Sequence, residues 1–281
     1  CAATVGTAET NQPTGPDNYG YYAIDNTDTD SQMAPEYNWV GIDPDHGGQG
    51  TDLQLTDFGW EQDATKSITL PFEFGFYGIQ YDKLSICSNG WMAMGETPVN
   101  FYRNFPLPAS HSAGALIAPF WDNLYQIGSQ KVYTWYDEDE HRFIIQWYNM
   151  KNTYSNATQN FEAILLDPAH HPTSTGDGMI IFQYELVNNT DSRDGYATVG
   201  IQNMPRTDGL NYSYWNQYSG GASVLASGRA ILFTPLGEIA LPIAAVSPGS
   251  LSASVMPGQQ TTEYLHLVNN GGEGSILNFN I

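Results

Sequence analysis

Three groups of side chains in this sequence are equipped for chemistry: clustered carboxylates, grouped aromatic rings and two cysteines. The loop Asp43-Pro44-Asp45-His46-Gly47-Gly48-Gln49-Gly50-Thr51-Asp52 sets Asp43, Asp45 and Asp52 among glycines. Calcium takes roughly six to eight oxygen ligands, and glycines let a loop turn its carbonyls inward, so this loop is a candidate calcium site. Asp25, Asp28 and Asp30 form a second candidate in DNTDTD. The plain alternative for both is a solvated turn rich in Asp and Gly. The run Asp137-Glu138-Asp139-Glu140 reads as a hairpin tip with its carboxylates in water.

The rings cluster in LNYSYWNQYSGG. Trp215 and Tyr218 are candidate glycan-stacking residues there, against the alternative that Tyr212 and Tyr214 alternate into a core capped by Trp215. Cys1 and Cys87 could pair with each other. Cys1 could also carry a lipid anchor, and Cys87, in mid-strand, reads more simply as a buried free thiol. The six histidines show no metal-ligand spacing, and there is neither a Gly-x-Ser-x-Gly elbow nor a Ser-His-Asp signature. No catalytic residues are assigned. The sequons at Asn156, Asn188 and Asn211 are expected by chance in so Asn-, Ser- and Thr-rich a chain.

The elements that must hold these groups are strands. In LPFEFGFYGIQYDKLSICSNGWMAMG, Phe72, Phe74 and Phe76 alternate with Glu73 and Gly75, which puts three rings on one face of an extended strand. Leu84 and Ile86 begin a second run, and Asn89-Gly90 signals a two-residue hairpin turn before Trp91. Strands are also expected at 21–24, 38–42, 67–70, 72–77, 115–120, 132–136, 142–149, 161–166, 179–186, 196–202 and 230–234. Polar turns separate them, and no stretch shows helical amphipathicity over three turns. The fold class is therefore all-β, an antiparallel β-sandwich. Three regions follow: an extended arm or linker over 1–18, the sandwich over 19–235, and from 236 to 281 a linker and the first strands of an immunoglobulin-like domain. The tail strands are outlined by Leu251, Val255, Tyr264, Leu265, Leu267 and Val268, with a further strand at 276–281.

Charge narrows the function. Nine basic residues face 30 acidic ones, a formal net charge of −21. Such a chain repels phosphate backbones and anionic membrane surfaces, so nucleic acid is excluded as a partner. No apolar run is long enough for a transmembrane helix. The acidity suits solubility outside a cell.

The strings PFEFGFYGIQYDKLSICSNGWMAMG, ALIAPFWDNL, GMIIFQYELV and YATVGIQN with TDGLNYSYWN and ILFTP carry a resemblance. They resemble a β-rich accessory domain of large secreted bacterial proteins, one that accompanies subtilisin-like and gingipain-like peptidases and is distantly nidogen-like. The tail resembles immunoglobulin-like repeats. The chain departs from the pattern at Met204-Pro205-Arg206, where an acidic Gly turn is more usual. The resemblance implies a non-catalytic extracellular or cell-surface module, structural or adhesive. Its expected partners are copies of itself or other domains of a longer chain, joined by strand addition. The alternative is a glycan-binding accessory domain of a secreted enzyme.

Overall fold

In a computed structural model, residues 11–57, 63–126, 128, 130–193, 195–236 and 244–270 are described. The chain divides into two compact units, Cys1–Leu236 and Gly237–Ile281. The first contains β1 (Tyr21–Asp25), β2 (Thr51–Asp52), β3 (Thr65–Phe76), β4 (Ile79–Cys87), β5 (Trp91–Met94), β6 (Leu116–Trp121), β7 (Leu124–Tyr125) and β8 (Lys131–Asp137). It continues with β9 (Arg142–Asn152), β10 (Thr158–Leu166), β11 (Ile180–Leu186), β12 (Thr198–Gln202), β13 (Gly209–Tyr214), β14 (Gln217–Tyr218) and β15 (Arg229–Pro235). One sheet runs β1-β15-β11-β10-β9-β8-β2, with β7 on β9, and the other runs β14-β13-β12-β6-β5-β4-β3. All pairings are antiparallel.

Both sheets contribute to one central core, as in a β-sandwich. Phe74, Leu84, Met92, Ile117 and Tyr212 enter it from one side, and Trp147, Phe161, Phe182 and Phe233 from the other. The outer faces are covered too. Leu116, Ala118 and Trp121 of β6 turn away from the central core into a second cluster with Trp91 and Leu107, roofed by the segment between β5 and β6. Ile144 and Ile164 turn outward into a third with Ile42 and Tyr133. Burial on both faces explains why β6 reads as a continuous apolar run instead of alternating.

The cover over the third cluster is the stretch expected as a strand at 38–42. It is no strand. Its alternate N–H groups donate to side chains: Asn38 to Gln183 Oε1 at 2.6 Å, Val40 to Glu162 Oε1 at 3.1 Å and Ile42 to Gln146 Oε1 at 2.8 Å. Glu162 stands opposite both Gln183 and Gln146 in register, so three long polar side chains on neighbouring strands form one row of acceptors. A period of two was therefore correct, but the partner is a side-chain row and not a backbone ladder.

Two turns differ from expectation. Cys87 pairs with Trp91, so the Ser88-Asn89-Gly90 loop has three residues, with positive φ at Gly90 and not at Asn89. Asn89 is buried and bonds instead to the Asp63 carboxylate and to the Leu124 N–H. The two-residue turns lie elsewhere, at Tyr77-Gly78 (φ 50° and 75°) and Trp215-Asn216 (φ 55° and 52°), both with the doubly positive φ of a type I′ turn.

Within the stretch expected as an arm, Thr14 is buried and exchanges backbone hydrogen bonds with Ala23 at 2.8 and 2.9 Å. Tyr77 donates to Asp17 at 2.6 Å. In the second unit, β16 (Ala244–Ser247) pairs with β17 (His266–Asn269). The first strand of that pair therefore lies before Leu251 and Val255, which are exposed and unpaired by any ladder. The strand expected at 276–281 lies outside the described residues.

Candidate functional site

Most of the chemistry-bearing residues turn inward to hold the scaffold. Asp25, at the end of β1, accepts from Thr27 N–H at 2.8 Å and from the Tyr212 hydroxyl at 2.8 Å. It also accepts from Ser223 N–H at 3.0 Å and lies 3.3 Å from Arg229. Burial works to raise its pKa, but the hydrogen bonds from Thr27, Tyr212 and Ser223 outweigh it and hold the carboxyl below its usual value. Asp28 accepts from Asp25 N–H at 2.7 Å, and burial pushes its pKa up to about 6. Asp30 is exposed.

In the glycine loop, Asp43 caps the short 3₁₀ turn Pro44–His46 and pairs with His46. Burial tends to raise the Asp43 pKa, and the bond from His46 more than reverses it; the same bond raises His46. Asp45 is exposed, and Asp52 pairs with Lys131 at 3.1 Å. Gly48 is needed for close approach: a Cβ there would stand 2.2 Å from the Ile42 carbonyl carbon. Among the described residues no group of three or more His, Cys, Asp or Glu side chains comes together as a metal site would require.

The acidic hairpin tip is not wholly in water. Asp137 is buried and bound by Arg142 at 2.9 Å, because β8 ends directly opposite the start of β9. Cys87 is a buried free thiol whose pKa burial pushes up to about 12. Cys1 lies outside the described residues. Tyr218 is half-buried, edge-on to Tyr212, and its hydroxyl accepts from Leu225 N–H at 3.1 Å. Trp215 is 49% exposed at its turn. The two candidate glycan residues thus belong to one hairpin but present themselves differently, one to solvent and one to the core.

A surface that sequence reading passed over lies on the long segment between β5 and β6. It has no regular structure, yet it is pinned throughout. The Phe101 carbonyl accepts two indole N–H groups, from the buried Trp91 at 2.9 Å and Trp121 at 3.1 Å. Asn104 donates to the carbonyls of Trp121 and Tyr196. Thr198 donates to the Phe105 carbonyl at 3.0 Å, and Leu107 N–H donates to Asn211 at 3.1 Å. On this fixed backbone Phe101 is 51% and Tyr102 41% exposed, and with Arg103, Phe105 and His111 they line a shallow, almost wholly apolar cleft of about 290 Å³. The signal that would have found it is the combination of length, prolines and rings: an ordered loop of this length inside a compact domain is usually functional.

Fold and surface together define an all-β sandwich that is covered on both outer faces and carries exposed rings on a rigid loop. The NIDO-related family model matches residues 45–235 of the 281, and the chain belongs to that family. The matched span takes in every strand of both sheets except β1, and the cover at 38–42 precedes it. Among curated proteins and among solved structures, none matches the chain. No helix among the described residues is long and apolar enough to cross a membrane.

Proposed function

We propose that this chain is a non-catalytic extracellular module that works by contact, holding copies of itself or neighbouring domains at a cell surface. Membership of the NIDO-related family supports the extracellular setting. The observation that carries the reading is the use of the ionisable groups. Three of the buried carboxylates, Asp25, Asp43 and Asp137, are committed to scaffold partners. The shallow cleft on the β5–β6 segment is lined mainly by rings, with Arg103 beside them.

An edge is available for strand addition. β3 is the outermost strand of its sheet and, at 12 residues, the longest strand among the described residues. Its second half is covered where Gly178 N–H donates to the Gly75 carbonyl at 2.8 Å, and among the described residues the outer side of the stretch from Thr65 to Leu70 has no strand partner. Sedimentation velocity of the full chain over a wide concentration range tests this reading. Concentration-dependent association that weakens when Thr69, exposed on that edge, is replaced in Thr69→Pro supports it. A chain that stays monomeric throughout overturns self-assembly.

A second reading, glycan binding, is favoured by the exposed rings on the β5–β6 segment, because aromatic faces stack on the apolar faces of sugar rings.

A further inference from the structure

The cleft on the β5–β6 segment has an electrostatic feature not found elsewhere among the described residues. Of the nine Lys and Arg side chains, eight have partners within the domain, as Arg142 has Asp137, Arg229 has Asp25 and Arg193 lies 4.2 Å over the Tyr154 ring. Arg103 is the exception. It is exposed, and among the described residues its guanidinium has neither an ion pair nor a hydrogen bond. It lines the cleft together with Phe101, Tyr102, Phe105 and His111. In a chain of net charge −21, a lone unpaired cation among exposed rings matches a ligand with one negative charge and one apolar face.

We propose that this cleft binds a carboxylate-bearing sugar residue, its ring stacked on Phe101 and Tyr102 and its carboxylate held by Arg103. This rests on the glycan reading above and specifies its ligand. The volume of about 290 Å³ is at the low end for ligand sites and suits one sugar ring. A planar guanidinium meets a carboxylate in two parallel hydrogen bonds, which fixes orientation as well as charge. A densely charged polyanion is disfavoured by the chain's net charge of −21, whereas one carboxylate within reach of Arg103 is screened from more distant charges at physiological salt. A peptide is disfavoured for a different reason. Extended peptides are gripped through backbone hydrogen bonds. The Phe101 and Phe105 carbonyls, the Leu107 N–H and the Ala109 N–H are already bonded inward. The segment offers rings and a charge, and little free backbone.

Titration calorimetry of the full chain with sialyllactose, with lactose, and with a short acidic aromatic peptide tests the proposal. The two sugars differ by a single carboxylate-bearing residue. The expected result is binding of sialyllactose at least tenfold tighter than lactose, lost in Arg103→Gln and partly kept in Arg103→Lys. Phe101→Ala should weaken it as well. All three substitutions are at exposed side chains, and unchanged far-UV circular dichroism and melting confirm that the variants fold. Equal binding of both sugars, indifferent to Arg103→Gln, overturns the carboxylate specificity and leaves the glycan reading standing. Binding of neither sugar overturns both and leaves the contact-module reading to its sedimentation test. Binding of the peptide alone overturns the sugar assignment.

Discussion

Glu162 shows how one side chain can tie a cover to a sheet. It is buried at the centre of the row Gln146–Glu162–Gln183, where Oε1 accepts from Val40 N–H and from Gln183, and Oε2 has no hydrogen-bond partner among the described residues. Burial pushes its pKa up to about 8, with the Val40 bond only partly offsetting it. The folded chain therefore keeps this proton at neutral pH while the unfolded chain, ionising near the free glutamate value, loses it. Folding stability from this group is complete below about pH 4 and falls as pH rises towards about 8, by up to about 1.4 kcal/mol per pH unit. Glu162→Gln keeps the Oε1 acceptor and removes the titration. Its urea-derived stability should exceed that of the parent at pH 8 and lose that advantage at pH 4; equal values at both would refute the assignment. Cys87 makes a second residue-scale prediction. With its thiol buried and its pKa near 12, a thiol reagent should modify it only after denaturant is added. Rapid labelling of Cys87, located by peptide mapping of the native protein, would contradict the burial.

Among the elements, the hairpin of β4 and β5 carries the sharpest constraint. Gly90 has φ 72°, and a Cβ on it would stand 1.9 Å from the Phe120 carbonyl oxygen on β6. Gly90→Ala combines a left-handed backbone penalty with overpacking, and should cost at least about 2 kcal/mol of stability. Chemical denaturation measures it, and a loss below about 0.5 kcal/mol would show that the turn has room. The turn is buried because Asn89 and Ser88 lie inside the domain, below the β5–β6 segment and beside Leu124. A turn motif usually exposed at a hairpin tip is here part of the support for the candidate cleft.

For the whole molecule, acidity is both surface charge and buried protons. Asp28 and Asp57, like Glu162, are raised by burial, to about 6 and about 7. All three raise proton uptake of the folded state relative to the unfolded one above about pH 4. Asp25 and Asp43 are lowered, so their contribution is lost only in stronger acid. The melting temperature should therefore fall as pH rises from 5 to about 8, and the net charge of −21 acts in the same direction through self-repulsion. Added salt should recover the part due to surface repulsion and leave the part due to buried groups. A melting temperature that is flat or rises over that range, followed by scanning calorimetry, would overturn this account.

The alternation of Phe72, Phe74 and Phe76, the apolar run of β6 and the paired β10 and β11 were legible in the chain because strand periodicity is local: each residue's face follows from its neighbour's. So was the all-β class. Which turn was tight was less so, since Asn89-Gly90 has the composition of a two-residue turn and Tyr77-Gly78 does not, and the choice was made by the register of β3, β4 and β5. The fates of Asp25, Asp137 and Tyr218 were not legible at all. Whether a carboxylate is solvated or bound depends on donors such as Tyr212, 187 positions away in sequence, which only folding brings within 2.8 Å. The same holds for the cleft. Phe101, Tyr102 and Arg103 look ordinary in sequence, and it is the indole N–H groups of Trp91 and Trp121, from two different strands, that fix the Phe101 carbonyl beneath the cleft.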